Sequence, residues 1–146
     1  NSAVAAITRL RDMGIESFLL ASSLKTIISQ RLVRRLCSHC KNKQKISPES
    51  AELFKLNKSQ DAYSPVGCDH CNGTGYQGRI AIAECIQVDK KLKDLIHNNA
   101  SENTISDYVF KDNHSIEQAS VRLILDGITS CEEIIRVNNI KEDASI

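Results

Sequence analysis

The 146-residue sequence contains no tryptophan and only 4% aromatic residues, and its 19 basic residues are offset by 18 acidic ones, leaving a net charge of +1. A reader of nucleic acid is expected to carry a basic excess with aromatic platforms for the bases, so both shortages argue against nucleic acid as a partner. No apolar run approaches the ~20 residues that a membrane-crossing helix needs, which argues against direct membrane insertion. Apolar residues nonetheless make up 41% of the chain and charged ones 25%, enough for one or two small cores.

What the sequence does hold is cysteine in matched pairs. Four of its six cysteines form two Cys-x-x-Cys knuckles, Cys37-Ser38-His39-Cys40 and Cys68-Asp69-His70-Cys71, separated by 27 residues. One such pair puts two thiolates within reach of a single cation, and two pairs supply the four sulfurs of a closed tetrahedral zinc site. Two disulfides, or four unrelated buried cysteines, are the alternatives. Pairing, and the crowding of Arg34, Arg35, Lys41, Lys43, Lys45 and Arg79 around the knuckles, favours a metal, because cations offset the negative charge of a four-thiolate site. Cys37, Cys40, Cys68 and Cys71 are therefore the expected ligands of one Zn²⁺. With no open coordination position, that zinc is expected to be structural rather than catalytic. His39 and His70 lie inside the knuckles but are surplus to a four-sulfur set, and Cys85 and Cys131 are expected in the core as small hydrophobes.

In chain order, Asn1-Ser2 offers caps for a helix carrying Val4, Ile7 and Leu10 that ends near Gly14. A second helix is predicted from Ile15 to Gln30, and a short strand from Arg31 to Leu36. Between the knuckles, Ser47-Pro48-Glu49 opens a helix through Leu53, Phe54 and Leu56. This insert has few apolar residues for its length, so it is expected to depend on metal; structural zinc contributes roughly 10–16 kcal/mol in small domains that unfold without it. Gly73, Gly75 and Gly78 suggest a phosphate loop, but no Lys-Ser/Thr follows and a strand comes next. They are better read as a tight turn around the metal.

Ile80 to Val88 reads as a strand with Ile80, Ile82, Ile86 and Val88 on one face, together with Glu84, which then needs Arg79 or an arginine of 31–35 as partner. Asp89 and Ser101 cap two further helices, Ser115 to Asp126 forms a third ending at Gly127, and Thr129-Ser130-Cys131-Glu132 is a capping box for the last. Residues 139–146 form a polar tail expected to fray. The opening on Asn1, directly into a helical pattern, leads us to expect a piece of a longer protein.

Several strings occur in a specific order: Ala6-Ile7-Thr8-Arg9-Leu10, Asp12-Met13-Gly14-Ile15, Leu20-Ala21-Ser22-Ser23-Leu24 and Gln30-Arg31-Leu32-Val33-Arg34. Both knuckles follow, then Gly75-Tyr76-Gln77-Gly78-Arg79, Ile82-Ala83-Glu84 and Gly127-Ile128-Thr129-Ser130, with Glu132, Glu133 and Arg136-Val137. Together they resemble the assembly ATPases of bacterial type II secretion and type IV pilus systems, over nearly the whole chain.

The resemblance implies an α+β chain from the C-terminal portion of such a protein. Residues 1–36 would end a RecA-like α/β ATPase core, 37–78 would be a tetracysteine zinc insert, and 79–138 a strand with a helical subdomain. The parent would be a homo-oligomeric, commonly hexameric ring, peripheral at the cytoplasmic face of the inner membrane. Its ATP and Mg²⁺ chemistry would drive an inner-membrane platform protein. The P-loop, the acidic Mg²⁺ motif and the histidine box are absent here, so no catalytic or nucleotide-binding residue is assigned and the chain alone is expected to hydrolyse no ATP. Arg31 and Arg34 could face nucleotide in the ring, but ion-paired strand arginines are the plainer reading.

The competing reading is a zinc-stapled protein- or nucleic-acid-binding module with no link to an ATPase. Cys68 to Gly75 resembles one glycine-rich unit of the J-domain cochaperones, a unit that family repeats and this chain has once.

Overall fold

The computed structural model describes residues 2–138, so the role given to Asn1 and the polar tail lie outside the described residues. Helices α1 (Ala3–Asp12) and α2 (Ser17–Ser23) precede a long strand β1 (Thr26–Leu36). Then come β2 (Asn42–Lys45), α3 (Pro48–Leu53), β3 (Asp61–Ser64), one 3-10 turn at Asp69–Cys71 and a second long strand, β4 (Tyr76–Gln87). Four helices follow: α4 (Lys90–His97), α5 (Glu102–Val109), α6 (Ile116–Leu125) and α7 (Cys131–Asn138). Helices and small sheets in separate stretches make the chain α+β.

Strands β1 and β4 pair in a two-stranded sheet. Val88 N–H donates to the Lys25 carbonyl at one end and Cys37 N–H to the Gly75 carbonyl at the other, each at 2.9 Å, so the strands run in opposite directions. By contact the chain divides into two compact units: one runs to Gln30 and returns from Ala83 to Ile116, the other covers Arg31–Ile82 and the chain from Glu117 onward. Each long strand thus serves both units, and each unit has its own core.

The first unit is packed by apolar faces. Val4 and Ile7 of α1, Leu20 and Ala21 of α2, Ile86 of β4, Leu92 and Ile96 of α4, and Ile105 and Val109 of α5 form one buried cluster. Its helices start where capping residues allow. Ser2 Oγ accepts from Ala5 N–H at 3.1 Å, Asp89 Oδ1 from Leu92 N–H at 2.8 Å and Ser101 Oγ from Thr104 N–H at 3.2 Å. Arg11 closes the far end of α4, donating to the Ile96 and Ala100 carbonyls at 2.8 Å each.

Two expectations fail in this unit. The helix predicted from Ile15 to Gln30 stops at Ser23: Leu24 is extended, and the chain enters β1 five residues before the predicted strand. The 3.6-residue pattern of Leu20, Leu24, Ile27 and Ile28 is overridden by β-branched Thr26-Ile27-Ile28 pairing with β4. Buried Glu84 takes no arginine. Its Oε1 accepts the Ala3 N–H and its Oε2 the Ile116 N–H at 3.1 Å. It therefore sits at the first turns of α1 and α6, where unpaired amides and the helix dipole stabilise a carboxylate without a cation.

The second unit has a smaller core: Val33, Ile46, Ala51, Ala62, Ile82, Ile124 and Ile134. β2 and β3 pair antiparallel from Asn42↔Ser64 to Lys45↔Asp61, with α3 in the connection. This pairing was not foreseen, because β2 (Asn-Lys-Gln-Lys) is fully exposed and shows no apolar alternation. Ser47 caps α3 as predicted, accepting from Ser50 N–H at 3.1 Å.

On α7 the capping box shifts by one residue. Ser130 Oγ accepts the Glu133 N–H at 3.2 Å, whereas Thr129 Oγ1 donates to the Arg34 carbonyl at 2.8 Å. Glu133, only 1% exposed, accepts from Arg34 N–H at 2.9 Å, Arg34 Nε and Nη2 at 2.9 and 2.7 Å, and Arg136 Nε and Nη2 at 3.0 and 2.7 Å. Burial alone pushes this carboxyl up. The guanidinium bonds from Arg136 and Arg34 and the Arg34 amide outweigh it and hold the pKa at about 2. Arg34 also stacks 4.0 Å over the Tyr76 ring, and Arg31 donates to the Val137 carbonyl and Asn138 Oδ1 at 2.9 Å each.

Candidate metal centre

The two knuckles meet because β1 and β4 deliver them to the same place. Cys37 follows directly on β1, and the second knuckle ends where Thr74-Gly75 leads into β4. Lys41 N–H bonds back to the Cys37 carbonyl at 3.0 Å, turning the first knuckle. In the second, Cys68 is extended, Asp69–Cys71 makes a 3-10 turn, and Asn72 takes a left-handed conformation with φ +51°. Gly73 N–H then returns to the Cys68 carbonyl at 2.9 Å.

All four sulfurs, Cys37, Cys40, Cys68 and Cys71, lie within 4.8 Å of one another. Sulfur–sulfur distances are 3.9 Å for Cys37–Cys68 and 3.8 Å for both Cys40–Cys71 and Cys68–Cys71. A disulfide requires about 2.05 Å, so the paired-disulfide alternative does not describe this arrangement. A tetrahedron of sulfurs at a Zn–S distance of about 2.3 Å has edges of about 3.8 Å. The donor set, four soft thiols and no oxygen, fits a thiophilic cation of that size.

Backbone amides supply much of the electrostatics. Gly67 N–H donates to Cys40 Sγ at 3.3 Å, and Cys71 Sγ accepts from Cys68 N–H at 3.2 Å and Gly75 N–H at 3.1 Å. Cys68 Sγ accepts in turn from the Cys71 amide. Burial pushes the Cys71 thiol up, yet the Cys68 and Gly75 amides and the neighbouring thiols bring it down to about 6. At Cys68 burial wins over the amides of Cys71 and His70, and its thiol is pushed up to about 11. A metal must displace these protons to bind, which couples its affinity to pH.

The glycines make this cradle possible. A Cβ on Gly75, at φ +77°, would lie 2.5 Å from Pro65 Cβ, and one on Gly67, at φ +109°, would lie 2.6 Å from the Gly73 carbonyl oxygen. Both positions need a backbone that L side chains rarely adopt and space that none could occupy. Sequence reading identified Gly75 as part of a turn but gave no role to Gly67 or to Thr74, whose Oγ1 donates to the Cys71 carbonyl at 2.7 Å. No pattern of spacing signals such loop bonds.

Some neighbours of the cluster differ from expectation, though His39 and His70 do not. The cations foreseen around the thiolates are largely bonded elsewhere. Lys41 Nζ donates to the Gly127 carbonyl at 2.8 Å and sits over the Tyr63 ring, Lys43 and Lys45 pair with Asp61 at 3.1 and 2.8 Å, and Arg34 pairs with Glu133. His39 and His70 stack on each other at 3.9 Å and are not in the four-sulfur group. Cys85 is exposed, because the alternation of β4 turns Glu84 and Ile86 inward and 85 outward; Cys131 is half-buried against the second core.

Residues 1–136 match the family described as Type II/IV secretion system protein. Putative type II secretion system protein E of Escherichia coli is 45% identical over 139 residues, which is 94% of this chain and 28% of that protein. Type II secretion system ATPase E of Vibrio cholerae is 43% identical over 94% of this chain and 28% of its own length.

The chain belongs to this family.

A type IV pilus assembly ATPase of Acinetobacter baylyi is also similar, 39% identical over 142 residues, covering 94% of this chain and 24% of that protein. The chain thus spans about a quarter of the length of the secretion and pilus relatives it matches. Among the described residues no helix is long and apolar enough to cross a membrane.

Proposed function

We propose that this chain is the zinc-bearing C-terminal part of an ATPase that powers type II secretion or type IV pilus assembly. Cys37, Cys40, Cys68 and Cys71 hold one structural Zn²⁺ there. The observation that carries the reading is the cluster of four sulfurs within 4.8 Å of one another, set in a chain related over 94% of its length to a secretion ATPase. The ion supplies no catalysis with its four positions filled; it reinforces a segment that buries only Ile46, Ala51 and Ala62 between the knuckles. We read residues 37–78 as that insert, between the end of the ATPase core and the helical subdomain.

ATP and Mg²⁺ belong, in this proposal, to the parent protein and not to this segment, which carries no phosphate cradle. The parent works as a ring, commonly of six copies, against an inner-membrane platform protein at the cytoplasmic face of the membrane. The segment contributes to ring assembly and partner contacts. Two measurements test the reading together. Purified full-length protein should release phosphate from ATP and this chain alone should not; measurable turnover by a clean sample of the chain refutes the division of labour. In cells, Cys71→Ser in the full-length protein should abolish secretion or piliation, and normal secretion and piliation would refute the role of the site.

A further inference from the structure

The cysteines of the cluster are unequally accessible: Cys40 and Cys68 are half-buried, whereas Cys37 and Cys71 are buried. Cys68 Sγ lies 3.8 Å from Cys71 Sγ of its own knuckle, but each half-buried cysteine also has the sulfur of a buried cysteine of the opposite knuckle within reach, Cys68 with Cys37 at 3.9 Å and Cys40 with Cys71 at 3.8 Å. These two contacts use all four sulfurs. To pass from contact to a bond of about 2.05 Å, each sulfur moves about 0.9 Å, a side-chain displacement. Reactive cysteines combine thiolate character with access, and metal binding holds all four as thiolates.

We propose that this cluster is a modification site for two-electron oxidants of the peroxide class, and that oxidation exchanges the metal for two disulfides crossing between the knuckles, Cys37–Cys68 and Cys40–Cys71. The inference rests on the zinc site proposed above. An accessible thiolate, Cys40 or Cys68, attacks one peroxide oxygen. An S–O bond forms, the O–O bond breaks, and the departing hydroxide takes a proton from solvent, leaving a sulfenic acid. The buried partner then attacks that sulfur; the S–S bond forms, the S–O bond breaks, and the second hydroxide is protonated to water. Each bond thus oxidises two thiolates by two electrons and consumes one peroxide and two protons. Two rounds leave Zn²⁺ without a ligand. Because both bonds join one knuckle to the other, the segment stays tied when the ion departs, and a dithiol reductant restores the site.

The test uses the zinc-loaded chain, hydrogen peroxide and a chromogenic zinc chelator, with mass-spectrometric mapping of the cysteines. About two equivalents of peroxide should release the zinc with loss of four thiols, and the peptides should carry Cys37–Cys68 and Cys40–Cys71. Dithiothreitol followed by zinc should recover full occupancy, and Cys85→Ser should leave the whole course unchanged. Zinc retention while Cys85 alone is oxidised overturns the inference, as do disulfides within each knuckle or irreversible sulfonic acids. An untreated chain that binds no zinc overturns instead the site beneath it, so the two failures are distinct.

Discussion

The two units of this chain hold themselves together by different means. The first buries a cluster that includes Val4, Ile7, Leu20, Ile86, Leu92, Ile96, Ile105 and Val109, with side-chain caps opening α1, α4 and α5. The second has a smaller core, to which the segment between the knuckles gives only Ile46, Ala51 and Ala62, together with β2, four exposed residues whose lysines pair with Asp61. Apolar area of that size stabilises little, at roughly 25 cal/mol per Å² removed from water. The difference locates the proposed role of the metal: where apolar burial is sparse, as between Cys37 and Gly78, a metal held by the four sulfurs at its two ends would add what the small core does not.

Replacing Cys71 separates the units most sharply. Cys71→Ser removes the sulfur that accepts two amides, and should cost the chain most of the roughly 10–16 kcal/mol that structural zinc contributes. Hydrogen exchange should then show protection lost through residues 37–78 while α4 and α5 keep theirs; equal loss in both units would erase the distinction. Ile96→Ala strikes the other side. Ile96 is fully buried, so the truncation should cost about 2–5 kcal/mol in denaturant unfolding while leaving zinc content at its original value.

Acid provides a smaller and directional contrast. Glu133 has its folded pKa lowered to about 2, so its stabilisation is present above the unfolded carboxyl value and is lost as pH falls from about 4.5 toward 2. Glu133→Gln should flatten that limb of the stability curve, by about 1–3 kcal/mol, with the difference gone near pH 2. An unchanged curve would mean that Arg34 and Arg136 do not hold the carboxylate. At the bottom of the scale, Lys43→Met removes an exposed ion pair to Asp61 and should leave the denaturant midpoint essentially unchanged.

The clustering of Cys37, Cys40, Cys68 and Cys71 was legible because two Cys-x-x-Cys pairs are a spacing in the chain itself, and the α+β class because most helices carry caps such as Ser47 and Asp89. Long-range choices were not. Apolar spacing carries the second helix from Ile15 to Gln30 because it cannot see that Val88 waits to pair with Lys25. Glu84 was assigned an arginine because no local pattern reports two helix N-termini converging on one carboxylate. The β2–β3 pairing escaped because its strands have no apolar alternation to betray them. Cys85 was placed inside by residue type, although the alternation already read for Ile82, Glu84 and Ile86 turns it outward.

Metal analysis of the purified chain tests the account most directly. Elemental analysis should find one zinc per chain, falling to none when Cys37, Cys40, Cys68 or Cys71 is replaced by serine and unaffected when Cys85 or Cys131 is. A chain that folds with protected amides between residues 37 and 78 and carries no zinc would contradict it.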